Sequence, residues 1–140
     1  MTPPAVGETF SVELVIAPED VALFARFIGD HNPIHHDAAA AAASRSGGIV
    51  ASGAHTASLM MGALATQFSK RWANVGLGYA VRLRKPVYAG QALTVTWTVA
   101  SVEDSAKLKG IVVRMEGTLT TPSGVAITAT SDALITGPLI

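Results

Sequence analysis

The chain has no cysteine among its 140 residues. That absence removes disulfide frameworks, thiolate zinc sites and cysteine nucleophiles together, and leaves the compartment open. An excess of charge is missing too: ten Lys and Arg balance ten Asp and Glu, with no long run of one sign. A surface that tracks a phosphate backbone or an anionic bilayer needs such a run, so neither nucleic acid nor membrane is an expected partner. The amino-terminal stretch MTPPAVGETFSVEL lacks a basic segment followed by an apolar one. Nothing in it reads as a signal peptide, and a cytoplasmic protein is expected. Charge is also missing locally. Ser46 to Ser69 contains no Asp, Glu, Lys or Arg and is long enough to cross a bilayer. Its Ser, Thr, Gly, His and Gln residues lower its hydrophobicity, and no second span or basic flanking loop accompanies it. A core helix wrapped by protein is the better reading.

What is present suits one domain over residues 1–140, since 49% apolar content supplies a core at that size. Phe10, Val12, Leu14 and Ile16 alternate with smaller or polar residues and predict a half-buried strand over Thr9 to Ile16. Pro18, Glu19 and Asp20 resemble a helix start, and Val21, Phe24, Ala25 and Ile28 repeat at the spacing of one helical face, with Gly29 as the stop. Asp37 can cap the alanine run 38–43, which SRSGG ends at 44–48. A long apolar helix follows from Gly53 to Lys70, with Ser52 as its N-cap. Beyond it the period changes. Segments 75–87, 92–102, 107–120 and 125–135 are rich in β-branched residues and joined by short turns, which implies four antiparallel strands. One strand, then helices, then four strands is an α+β layer. A helix apolar on most sides asks for a curved antiparallel sheet wrapped around it, the hot-dog arrangement. One sheet around one helix leaves edges uncovered, so a homodimer or a dimer-based assembly is expected.

Three of the four histidines and two of the ten acidic residues fall within FIGDHNPIHHD, residues 27–37. One reading is a plain connection in which Asp30 and Asn32 make turn hydrogen bonds and the histidines meet solvent. A metal site would use Asp30, His31, His35, His36 and Asp37, but Pro33 breaks the helix that would align His31 with His35, so no metal is expected. The third reading is acid–base chemistry. The rigid Asn32-Pro33 turn brings Asp30 and His35 together around one water, which a carboxylate and an imidazole can activate near neutral pH, with Asn32 orienting either partner.

Gly29-Asp30-His31-Asn32-Pro33-Ile34-His35, with Phe27 before it and Ala41 after it, resembles the signature of the type-2, (R)-specific enoyl-CoA hydratases of the MaoC-like hot-dog group. IVASGAHTASL at 49–59 and RKPVYAGQAL at 84–93 extend the likeness to nearly the whole chain. The resemblance implies reversible hydration of a trans-2-enoyl-CoA to a (3R)-hydroxyacyl-CoA, with Asp30 and His35 as the catalytic pair. It also places the backbone N–H of Gly53 at the thioester oxygen. A helix N-terminus has unpaired N–H groups and a favourable dipole, and glycine there permits close approach. The substrate is the expected partner, and no cofactor is expected beyond the coenzyme A it carries.

Around this pair, Asn32, Ser52, His55, Arg82 and Arg84 are candidate substrate-binding residues. Ser52 also suits a simple N-cap. His55 either lines the pocket or packs, and its place in the first helical turn disfavours the protonated ring. Arg82 and Arg84 alternate on one strand face and, with Lys85, can meet phosphates or simply face solvent. VASGA lacks the first glycine of a hydrolase elbow. SRSGG departs from the family's bulkier approach, ASGAH is one residue longer than the HG form, and Met61 stands where some relatives carry serine. A hot-dog thioesterase and a non-catalytic acyl-thioester binding module are the rivals. The acidic residue that many of those thioesterases carry in the central helix is missing from 53–70, and the binding module is disfavoured by the presence of both Asp30 and His35.

Overall fold

The computed structural model describes residues 1–139. Five strands and three α-helices follow one another as β1 (Thr9–Val15), α1 (Pro18–Phe27), α2 (Ala38–Ala43), α3 (Gly53–Phe68), β2 (Trp72–Leu83), β3 (Ala92–Ser105), β4 (Gly110–Thr121) and β5 (Gly124–Pro138). A 3₁₀ turn over Pro33–His35 lies between α1 and α2. The strands form one sheet in the order β1-β3-β4-β5-β2, and every neighbouring pair is antiparallel. Short connections produce the β3-β4-β5 run, whereas β2 and β3, expected as neighbours from the short link between them, lie apart, β2 pairing with β5 and β1 with β3. Only Pro122 and Ser123 separate β4 from β5, and such links join adjacent antiparallel strands.

The alternation that predicted β3, β4 and β5 directs one set of side chains onto α3. Met60, Leu64 and Phe68 of the helix share a buried cluster with Leu93, Val95 and Trp97 of β3, Met115 and Leu119 of β4, and Ile127 of β5. The Trp97 indole N–H donates to the carbonyl of Met60 at 2.9 Å, so the buried ring has its polar partner inside the helix–sheet contact. This is the α+β hot-dog arrangement. Among the described residues no helix is long and apolar enough to cross a membrane.

Several boundaries differ from expectation. The last helix ends at Phe68 rather than Lys70, β2 spans 72–83 rather than 75–87, β3 runs to 105 rather than 102, β4 spans 110–121 rather than 107–120, and β5 spans 124–138 rather than 125–135. Trp72 explains the early start of β2: it is buried, its ring meets Phe68 edge-on, and its indole N–H donates to the carbonyl of Thr2. At the other end the N–H groups of Arg84 and Lys85 both reach the carbonyl of Ala126, which breaks the ladder, and Pro86 has no N–H to resume it. β2 is an edge strand that leaves Val75, Leu77, Tyr79 and Leu83 exposed.

Candidate active site

The loop from Gly29 to Asp37 is held mainly by its own short-range hydrogen bonds. The Asp30 N–H donates to the carbonyl of Ala25 at 2.8 Å, carrying the chain out of α1. Asp30 Oδ1 accepts the N–H of Asn32 at 3.0 Å, and Asn32 Oδ1 accepts the N–H of Ile34 at 3.3 Å. These are the local bonds that Asx residues make, and Pro33 supplies the φ that the following turn needs. His36 Nε2 lies 2.8 Å from the carbonyl of Asp30, and Asp37 accepts the N–H groups of Ala39 and Ala40 as the cap of α2.

The 3₁₀ turn places His35 inside, at 6% exposure, with Nδ1 2.6 Å from the carbonyl oxygen of Val50. A carbonyl only accepts, so Nδ1 carries the hydrogen and Nε2 is the nitrogen left for chemistry. Nε2 faces Asp30 Oδ2 at 3.2 Å. A bare ring nitrogen and a carboxylate are both acceptors, so the pair can take one proton from a donor such as water and hold it between them. A proton held between two groups of this kind is what general acid–base chemistry uses.

The structure brings the side chains of Asp30 and His35 into direct contact, because the 3₁₀ turn folds the ring back toward the start of the loop. Asn32 orients Asp30 through its main-chain N–H only; its side chain is occupied by Ile34 and reaches neither Asp30 nor His35. His31 is exposed. No three His, Cys, Asp or Glu side chains converge as a metal site among the described residues.

Three residues beyond Val50, α3 begins. Ser52 has extended backbone (φ −62°, ψ 150°) and its Oγ accepts the N–H of His55 at 3.2 Å, as an N-cap does. Ser52 is buried, and its Oγ makes the N-cap that the sequence allowed. Gly53 is the first helical residue, and no hydrogen bond among the described residues uses its N–H. Gly53 lines a cavity of about 250 Å³ together with Thr56, Leu83, Arg84, Lys85, Val87 and Ile127. A Cβ on residue 53 would overlap Leu83 Cδ1, so the close approach of β2 requires glycine or a shift of that leucine. Asp30 and His35 lie outside this lining and connect to it through the four residues Val50–Gly53.

His55 packs rather than lines the cavity. Its ring is 6% exposed and stacks on Phe24 with centroids 4.3 Å apart and planes 4° from parallel, and its Nδ1 is buried with no partner. Burial lowers its pKa; Asp20 pulls it back upward, and His35 lowers it further. Arg82 sits opposite Thr128 in the ladder, one residue out of phase with Leu83 and Ile127, so it belongs to the face of the sheet turned away from α3. Arg84 follows β2, its Nε donating to Thr128 Oγ1 at 3.2 Å, and Lys85 donates to the carbonyl of Ser123 at 2.8 Å. Three partners escaped the sequence reading: the Val50 carbonyl, Phe24 as the platform for His55, and Leu83 against Gly53. Leu83 alone carried a signal, as the apolar residue between two arginines on a strand predicted to alternate.

A family model described as "MaoC like domain" matches residues 2–121. No curated protein sequence matches the chain. Among solved structures, R-hydratase PhaJ1 from Pseudomonas aeruginosa has a TM-score of 0.79 at 28% identity, over 94% of this chain and 82% of its own. A MaoC-like dehydratase from Rhodospirillum rubrum gives 0.80 at 27% identity, over 94% and 92%. The (R)-hydratase from A. caviae gives 0.86 at 24% identity, over 96% and 99%, a likeness of fold.

Proposed function

Because the chain belongs to the MaoC-like domain family, we propose that it is an (R)-specific enoyl-CoA hydratase, acting reversibly on trans-2-enoyl-CoA as a cytoplasmic homodimer. The observation that carries this reading is the direct contact between His35 Nε2 and Asp30 Oδ2, with the opposite ring nitrogen held by Val50. Water adds its oxygen to C3 of the enoyl group while the pair takes up one proton, and a proton is returned to C2, so hydroxyl and hydrogen are added across the double bond. Negative charge grows on the thioester oxygen during attack, and the unused N–H of Gly53 at the start of α3 is a donor suited to receive it. Arg84 and Lys85, on the border of the same cavity, suit the phosphates of coenzyme A. The exposed Val75, Leu77 and Tyr79 on edge strand β2 suit pairing with a second copy.

Purified protein added to crotonyl-CoA tests this directly, following enoyl-thioester absorbance and free thiol together. Loss of absorbance without thiol is the expected result. Thiol release would instead identify a thioesterase, and neither signal would remove enzymatic hydration of this substrate.

A further inference from the structure

The walls of the cavity beside Gly53 are not equally fixed. Thr56, Val87 and Ile127 are buried to within a few per cent and locked into the core, whereas Leu83 is 60% exposed at the end of an edge strand. Yet Leu83 is the side chain nearest to Gly53. Its Cδ1 would overlap a Cβ placed on residue 53, and its Cγ and Cδ2 lie 3.5 and 3.6 Å from that position. The isobutyl group therefore covers one side of the Gly53 Cα, next to a main-chain N–H that no hydrogen bond among the described residues uses.

From this placement, and resting on the hydratase reading above, we infer that Leu83 is a specificity-determining residue that excludes enoyl thioesters branched at C2. If the thioester oxygen lies on the Gly53 N–H, C2 is the carbon attached to that carbonyl, and a methyl group on it projects beside residue 53. Leu83 fills that space in the unbranched case and collides with the methyl in the branched one. No other apolar wall combines contact with Gly53 and freedom to move, so substrate shape near the carbonyl is set by one side chain rather than by the core. Asp30 and His35 lie outside the lining that contains Leu83, so their polar chemistry is left untouched. A methyl group in an apolar pocket changes discrimination about 10- to 200-fold, which sets the size of the effect.

The experiment measures kcat/KM for crotonyl-CoA and for 2-methylcrotonyl-CoA (the trans isomer) with the wild-type protein, Leu83→Ala, Leu83→Val and Leu83→Phe, alongside sedimentation velocity on each. Wild type is expected to prefer the unbranched substrate. Leu83→Ala lowers that preference at least about tenfold, Leu83→Val lowers it less, and Leu83→Phe raises it. Ratios equal to wild type in Ala and Phe variants that still hydrate crotonyl-CoA overturn the assignment while leaving the hydratase reading intact. A ratio that changes only together with the sedimentation coefficient also overturns it, giving Leu83 to a contact between copies. Wild-type protein inactive on both substrates takes down the hydratase reading and this inference with it.

Discussion

Residues 29–37 and residues 82–85 both approach the passage Val50–Gly53, and they are built in opposite ways. In the first stretch Asp30, Asn32, His36 and Asp37 each bind main-chain groups of the loop or of α2, and His35 is buried against a carbonyl. The second is the end of an edge strand, where Arg82, Leu83, Arg84 and Lys85 are all exposed. Proton transfer loses rate steeply with misplacement, so its groups need a closed network of local bonds. Basic side chains meet a phosphate from an exposed strand end, where the ligand can approach them. Under the proposed function, chemistry lies on the internally bonded, stiff side and selection on the exposed, soft side.

The sharpest way to break this contrast is to remove one member of the stiff pair. Asp30→Asn and His35→Ala should each lower kcat about 10²- to 10⁴-fold with the fold preserved; steady-state kinetics beside circular dichroism decides it, and full activity in either variant excludes that residue from the mechanism. Next in size is Gly53→Pro, made beside Gly53→Ala in a Leu83→Ala background because a Cβ on residue 53 overlaps Leu83 Cδ1. Ser52 already has the extended conformation that a following proline requires, and proline is at home in the first helical position. The substitution deletes the free N–H, and a loss of about 10²- to 10³-fold is expected. Unchanged kcat would assign the oxyanion to another donor. On the soft side, Arg84→Ala with Lys85→Ala should raise KM for crotonyl-CoA several-fold while kcat holds, each phosphate contact being exposed and screened. An unaltered KM would make the pair a solvated surface.

Much of this division is visible in the linear order of residues. The Asn32-Pro33 turn between Asp30 and His35, Ser52 before a charge-free helix and the β-branched alternation after residue 75 all act over short range, where local chemistry decides structure. What was not legible depends on distant partners. Trp72 starts β2 early because it finds Phe68 and Thr2, and no window of sequence around it contains that information. The direct contact of Asp30 with His35 depends on the tightness of a three-residue turn. His55 read equally well as a pocket residue or a packing residue, because the choice rests on which helix lies across it, and Phe24 supplies the answer.

Two smaller effects refine the stiff side. Ser52→Ala removes the cap of α3 and should cost about 1 kcal/mol, seen as a melting temperature lower by a few degrees; no change would mean that another group satisfies the His55 N–H. The buried His55 gives a pH signature. Its pKa is lowered on folding, so below the ordinary value of about 6.5 the unfolded chain binds more protons than the folded one. Stability therefore rises with pH through that region and falls as pH drops beneath it. His55→Phe keeps a ring on Phe24 and should flatten this part of the melting curve series, whereas an identical slope would trace it to other groups.

The bond from His35 Nδ1 to Val50 ends on a carbonyl, and a carbonyl belongs to the main chain rather than to valine. Nineteen replacements at position 50 would leave the acceptor in place wherever the chain path survives. The orientation of the imidazole is thus written in a part of the molecule that point mutation does not reach. Position 50 also borders a second, apolar hollow with Ile34, Pro86 and Tyr88. A lineage can therefore resculpt that hollow through the Val50 side chain, generation after generation, without ever erasing the instruction that tells the histidine where to point.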